Sequence, residues 1–249
     1  MRIRSTLLVF AVLAGCGDEP SPLTTSQFFQ KRAEITCTAL ESACLLPVAA
    51  CTAGRVAEYT AEQQNALAYF RSFIPKNAEA CLAKVEEVFG KIKQGTVALP
   101  AADYNAMQAI CANVYRGSSI ANGPCQIDAD CYGDLICDKG YCGTAKVVAP
   151  GAGCANIGEI CPQGTFCSNA TGVWFCSEKA GLQSSCATTP CLETLRCAGG
   201  VCVARLGMVE ACTGNDDCTT GFCEPYALKC AEDIRFANGT AACLAMGGS

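Results

Sequence analysis

The side chains best equipped for chemistry in this chain are its thiols: 23 cysteines in 249 residues, with no histidine. Sixteen of them fall into four successive groups, Cys125/Cys131/Cys137/Cys142, Cys154/Cys161/Cys167/Cys176, Cys186/Cys191/Cys197/Cys202 and Cys212/Cys218/Cys223/Cys230. Thiols can ligate a metal, attack an electrophile or oxidise in pairs, and spacing helps to separate these uses. No two cysteines are separated by two residues, so the C-x-x-C pairs of zinc knuckles and thioredoxin-type sites are absent. Without histidine there is no Ser-His or Cys-His nucleophile pair and no H-E-x-x-H zinc site. G-x-S-x-G and Walker-type sequences are missing too, so the chain reads as non-enzymatic and without a cofactor. Oxidation is the use that remains, in a disulfide scaffold of an oxidising compartment.

The four groups begin at residues 125, 154, 186 and 212, a period of about thirty residues that signals an array of similar small units. Glycines stand before each unit, at Gly123, Gly153, Gly181 and Gly207, where turns are needed. Gly140 and the Gly199–Gly200 pair precede Tyr141–Cys142 and Val201–Cys202, which suggests short β-hairpins. Units this small bury too little surface to fold unaided, so their bridges must supply the order. Four cysteines permit three pairings, and spacing does not choose among them. We expect the interlaced one, first with third and second with fourth: Cys125–Cys137, Cys131–Cys142, Cys154–Cys167, Cys161–Cys176, Cys186–Cys197, Cys191–Cys202, Cys212–Cys223 and Cys218–Cys230.

The array also carries acids and one notable loop. Asp128, Asp130, Asp134 and Asp138 do not follow the EF-hand spacing, so they read as turn caps rather than Ca²⁺ ligands. In the second unit, the eight residues from Ser168 to Phe175 hold the only tryptophan, Trp174. Trp174 and Phe175 suit either a contact loop or the core of a very small unit. From Gly117 onward the chain has 7 basic and 13 acidic residues, a net of −6. That balance argues against a nucleic-acid partner.

What must position the array begins at the N-terminus. Residues 1–15 open with Arg2 and Arg4 and continue through an apolar run from Leu7 to Leu13, the form of a signal peptide. Leu13-Ala14-Gly15-Cys16 resembles the lipobox of bacterial lipoproteins, which implies cleavage before Cys16 and its lipidation. The anchor would then be the membrane, and residues 16–24 a short tether containing Pro20 and Pro22. The residue after the cysteine is Gly17 rather than Asp, which by the same resemblance favours the outer membrane or cell surface. With Cys16 consumed, 22 cysteines remain, an even number for eleven bridges.

Residues 25–117 read as a helical domain stapled by cysteines. Thr24 with Gln27 forms a capping-box signature, and Phe29, Ala33, Cys37, Leu40 and Cys44 recur on one helical face until Pro47. Further helices are expected over Glu62–Ile74, from an Asn77 cap to Gly95, and from Pro100 to Gly117. The five cysteines here, Cys37, Cys44, Cys51, Cys81 and Cys111, cannot all pair among themselves. Cys243, in the C-terminal tail at 232–249, is the natural partner for the odd one.

The fold expected is therefore small and disulfide-rich: an N-terminal helical bundle, then four four-cysteine modules with short β-hairpins over 118–231. The run Cys125-Gln-Ile-Asp-Ala-Asp-Cys131 and its echo Cys212-Thr-Gly-Asn-Asp-Asp-Cys218 resemble the Dickkopf N-terminal cysteine-rich pattern. Over nearly its whole length the chain is similar to cysteine-rich bacterial lipoproteins with a helical-then-repeat layout. The resemblance implies an extracytoplasmic binding or structural module. The leader, the disulfide density and the missing histidine lead us to expect a lipid-anchored envelope protein that binds a protein or glycan. A protease-inhibitor-like module is the alternative, and an enzyme working without histidine a more distant one.

Overall fold

The computed structural model describes residues 21–93 and 97–247. The expected leader, Cys16 and the first part of the tether lie outside the described residues. Helix α1 (Thr25–Cys44) starts where Thr24 and Gln27 exchange the two hydrogen bonds of a capping box. Its face of Phe28, Phe29, Ala33, Cys37 and Leu40 is buried. It packs against α2 (Val48–Ala68) and α3 (Pro75–Lys93), and α4 (Ala101–Cys111) packs on α3. Val85, Val88, Phe89 and Ile92 of α3 and Tyr59 of α2 complete the core with α1. Cys37–Cys51 staples α1 to α2, and Cys81–Cys111 staples α3 to α4.

Three helix boundaries differ from expectation. The second helix is Val48–Ala68 rather than Glu62–Ile74. Pro47 not only ends α1 but caps α2, and the following alanine-rich stretch favours helix without showing an apolar stripe. Only Cys51, Thr52, Tyr59 and Ala66 of this helix are buried. Helix α3 starts at Pro75, because Asn77 uses its side chain to donate to the Asn113 carbonyl instead of capping. Helix α4 stops at Cys111 rather than near Gly117, since Tyr115–Arg116 pairs as a strand with Ser72–Phe73.

The C-terminal residues return to the helical body. Asp233–Arg235 pairs antiparallel with Ala98–Pro100, burying Ile234, and Phe236 meets Phe89 at 6.1 Å between ring centroids. A last short helix, α5 (Ala241–Ala245), is capped by Thr240, and its Cys243 is bonded to Cys44 of α1. Between these ends run the four units, each with one antiparallel hairpin. The paired strands are Ile136–Asp138 with Tyr141–Gly143, Thr165–Ser168 with Phe175–Glu178, Leu195–Ala198 with Val201–Ala204, and Cys223–Glu224 with Lys229–Cys230. The protein is a small disulfide-rich fold with eleven bridges, a helical region and four four-cysteine modules.

Candidate functional site

Each unit is built on one plan that follows from where its cysteines fall on the hairpin. The third and fourth cysteines face each other directly across it: Cys137 and Cys142, Cys167 and Cys176, Cys197 and Cys202, Cys223 and Cys230. Each then bonds away from its neighbour. The third pairs with the first, in Cys125–Cys137, Cys154–Cys167, Cys186–Cys197 and Cys212–Cys223. The fourth pairs with the second, in Cys131–Cys142, Cys161–Cys176, Cys191–Cys202 and Cys218–Cys230. The two bridges bring three sulfurs of every unit within 4.8 Å of one another, but in disulfide form they offer no thiolate to a metal.

A repeated backbone ladder flanks the bridges. The residue two before the first cysteine accepts from the fourth cysteine's N–H, as in Gly123 with Cys142 and Ser184 with Cys202, both at 2.8–2.9 Å. The residue three before the first cysteine is left-handed in every unit: Asn122, Gly151, Gln183 and Val209. Glycine and asparagine tolerate that conformation, whereas glutamine and, more so, a β-branched valine do not do so readily.

The acids serve this framework. Asp130 Oδ2 accepts from the Gln126 and Ile127 amides at 2.8 and 3.1 Å, and Asp217 does the same for Thr213 at 2.8 Å. Asp128 and Asn215 accept from the amides of Cys137 and Cys223 at 2.7 and 2.9 Å. Although desolvation opposes it, these amide bonds and Arg71 hold the Asp130 carboxyl below its usual range. Asp217 is lowered first by the Thr213 amide and then by its hydroxyl. Asp128, Asp130 and Asp217 are occupied by backbone donors within their own units and act as turn caps, whereas Asp138 accepts from an amide of the next unit.

Successive units touch through charged side chains. Asp138 accepts from the Gly158 amide at 2.9 Å, and Lys139 donates to the Asn156 carbonyl at 3.2 Å, joining units one and two. Glu193 accepts from Lys179 at 2.7 Å and from the Gly164 amide at 3.0 Å, joining units two and three.

Among the described residues, the hydrogen bonds, ion pairs and core contacts to the helical body come from the end units. Arg71 pairs with Asp130 at 2.9 Å, and the Gly117 amide donates to the Ala129 carbonyl at 2.7 Å. A side chain at position 117 would collide with the Asp130 backbone, so glycine is required for this close approach. At the other end, fully buried Phe222 packs edge-on against Tyr104, 5.9 Å between centroids. Burial also pushes the Tyr226 phenol up. Among the described residues, no hydrogen bond or ion pair joins residues 144–204 to the helical body.

Trp174 ends the second unit's hairpin loop, directly before the returning strand, 37% exposed, with its carbonyl accepting from the Cys154 amide at 3.3 Å and the Lys139 ammonium 5.9 Å from its ring centroid. Phe175 is instead a half-buried strand residue opposite Ser168. The structure thus divides the two aromatics that the sequence groups together, and it adds the exposed Val173 beside Trp174. Lys139 was not singled out from the sequence, because its position against Trp174 depends on how the first two units pack.

Fold and array together define a multi-unit disulfide-rich protein in which, among the described residues, no hydrogen bond or ion pair ties the two middle units to the core-bearing body. No family model, curated protein or solved structure matches the chain.

Proposed function

We propose that this is a non-enzymatic, lipid-anchored protein of the bacterial envelope whose middle units present a rigid loop to a protein or glycan partner. The observation that carries the reading is the end of the hairpin loop at Val173 and Trp174. It is partly exposed and set between Cys167 and Cys176, both of which are cross-linked. A tryptophan held on such a loop loses little conformational freedom on contact, which favours its use as an anchor. The lipobox-like residues ending at Cys16 support membrane attachment, and the oxidised state of every described cysteine suits an extracytoplasmic site. The net −6 of the sequence from Gly117 onward favours partners other than nucleic acid.

The test is quantitative capture of envelope proteins and glycans by the delipidated chain, compared with Trp174→Ala. Loss of an anchor residue is expected to weaken binding by about thirtyfold or more, the equivalent of a hot spot. Unchanged capture of every partner by Trp174→Ala contradicts the contact loop. Slow, tight inhibition of a secreted protease would move the reading to an inhibitor module.

A further inference from the structure

The end of α2 carries an apolar tip of which the fold uses only Tyr69, whose ring lies under the Arg71 guanidinium at 5.2 Å. Phe70 is 87% exposed, and Leu67 and Tyr69 beside it are about half exposed. Phe70 follows the helix in a left-handed conformation, φ 56°, while its amide reaches the Leu67 carbonyl and the Arg71 amide reaches the Ala66 carbonyl. That is a Schellman ending, whose left-handed position usually holds glycine. A phenylalanine there is conformationally unfavourable and buries almost nothing within the chain.

The place of the tip in the body indicates what it meets. Helices α1 and α2 are antiparallel, as the Cys37–Cys51 bridge, the Phe29–Tyr59 contact and the Arg32–Glu62 pair show along their length. This register brings the end of α2 to the start of α1. Phe28, in the first turn of α1, meets Phe73 at 5.8 Å, and Leu23 is buried in the same core. The chain therefore enters the body beside the tip. From Cys16 to Ser21 is five residues, which can span at most roughly 18 Å.

We infer that Leu67, Tyr69 and Phe70 form a second attachment point that rests in the lipid interface, with Phe70 inserted among the acyl chains. This rests on the reading that Cys16 carries lipid. A tether this short keeps the end of the body near the headgroups, where tyrosine is at home and an exposed phenylalanine gains burial. The lipid alone would leave the body free to swivel. Two points of contact fix the orientation of the helical body, and of the array docked on it, relative to the membrane.

The opposite end of the same helix pair supplies a control. Leu45 is also left-handed, φ 52°, and 60% exposed, but it lies at the end of α1 away from the tether. The experiment uses natively processed protein in a Trp174→Phe background, reconstituted into phosphatidylethanolamine–phosphatidylglycerol vesicles containing brominated lipid. Phe70→Trp and Leu45→Trp each supply one fluorophore, and flotation and the mass of the N-terminal peptide report lipidation separately. The inference expects Phe70→Trp to emit to the blue and to be quenched by brominated lipid several-fold more than Leu45→Trp. Equal quenching at both positions in protein that floats overturns it and leaves lipidation standing. Failure to float, with an unmodified N-terminal peptide, overturns the lipidation reading and this inference with it. A blue shift of Phe70→Trp in detergent-free protein without vesicles would assign the tip to a second copy of the chain instead.

Discussion

Three disulfides staple the helical body and eight hold the array, yet the two regions are ordered by different forces. The body buries Phe28, Leu40, Tyr59, Val85, Val88, Ile234 and Phe236, side chains large enough to form a core. Between residues 118 and 206 the buried apolar residues, glycine aside, are Cys131, Cys142, Cys154, Cys176, Cys202 and Ala180. In that stretch the bridges are the core. The difference teaches that one chemistry does two jobs: it reinforces packing that already exists, and elsewhere it replaces packing that is too small to exist.

The comparison is sharpest where the regions meet. Phe222 belongs to the fourth unit by sequence and to the body's core by contact. Phe222→Ala should destabilise the body by about 3–5 kcal/mol, as core phenylalanine truncations do, and calorimetry would measure it. A much smaller loss would mean that the fourth unit only leans on the body. Removing the Cys44–Cys243 bridge by the double alanine substitution should cost about 2–5 kcal/mol. Its sequence separation is 199 residues, but the bridges between its ends already shorten the unfolded loop, so the lower part of that range is expected.

The smallest effect concerns the contact between units two and three. Lys179 donates to Glu193 and, with the Gly164 amide, lowers the Glu193 carboxyl from 4.5 to about 2. A depressed carboxyl pKa gives stability that is present above 4.5 and lost as pH falls toward about 2. NMR titration should show the Gly164 amide shifting with an acidic midpoint, moved toward 4.5 by Lys179→Ala. A midpoint unchanged by that substitution would remove the ion pair from the account.

The sequence allowed some of this to be read and hid the rest for physical reasons. The capping box of Thr24 and Gln27 and the stripe from Phe29 to Cys44 are local signals, and α1 follows them. Cysteine spacing marked the four units, because each is closed by bonds between near neighbours. The start of α2 was hidden because a helix packed on few residues shows no clear period. The strand at Asp233–Arg235 could not be read, since three residues carry little pattern and their partner, Ala98–Pro100, is over a hundred positions away. Trp174 was legible as the only tryptophan, while its neighbour Lys139 belongs to another unit. The tip at Phe70 had no signal at all, because its interest lies in exposure and a left-handed backbone.

The most direct test of the division of labour is hydrogen exchange with mass-spectrometric readout during graded reduction. The account predicts that amides of residues 118–206 lose protection as their bridges open, while α1 and α3 keep theirs after Cys37–Cys51 and Cys81–Cys111 are reduced. Protection that persists in the reduced array, or that collapses in the helices at the same step, would contradict it.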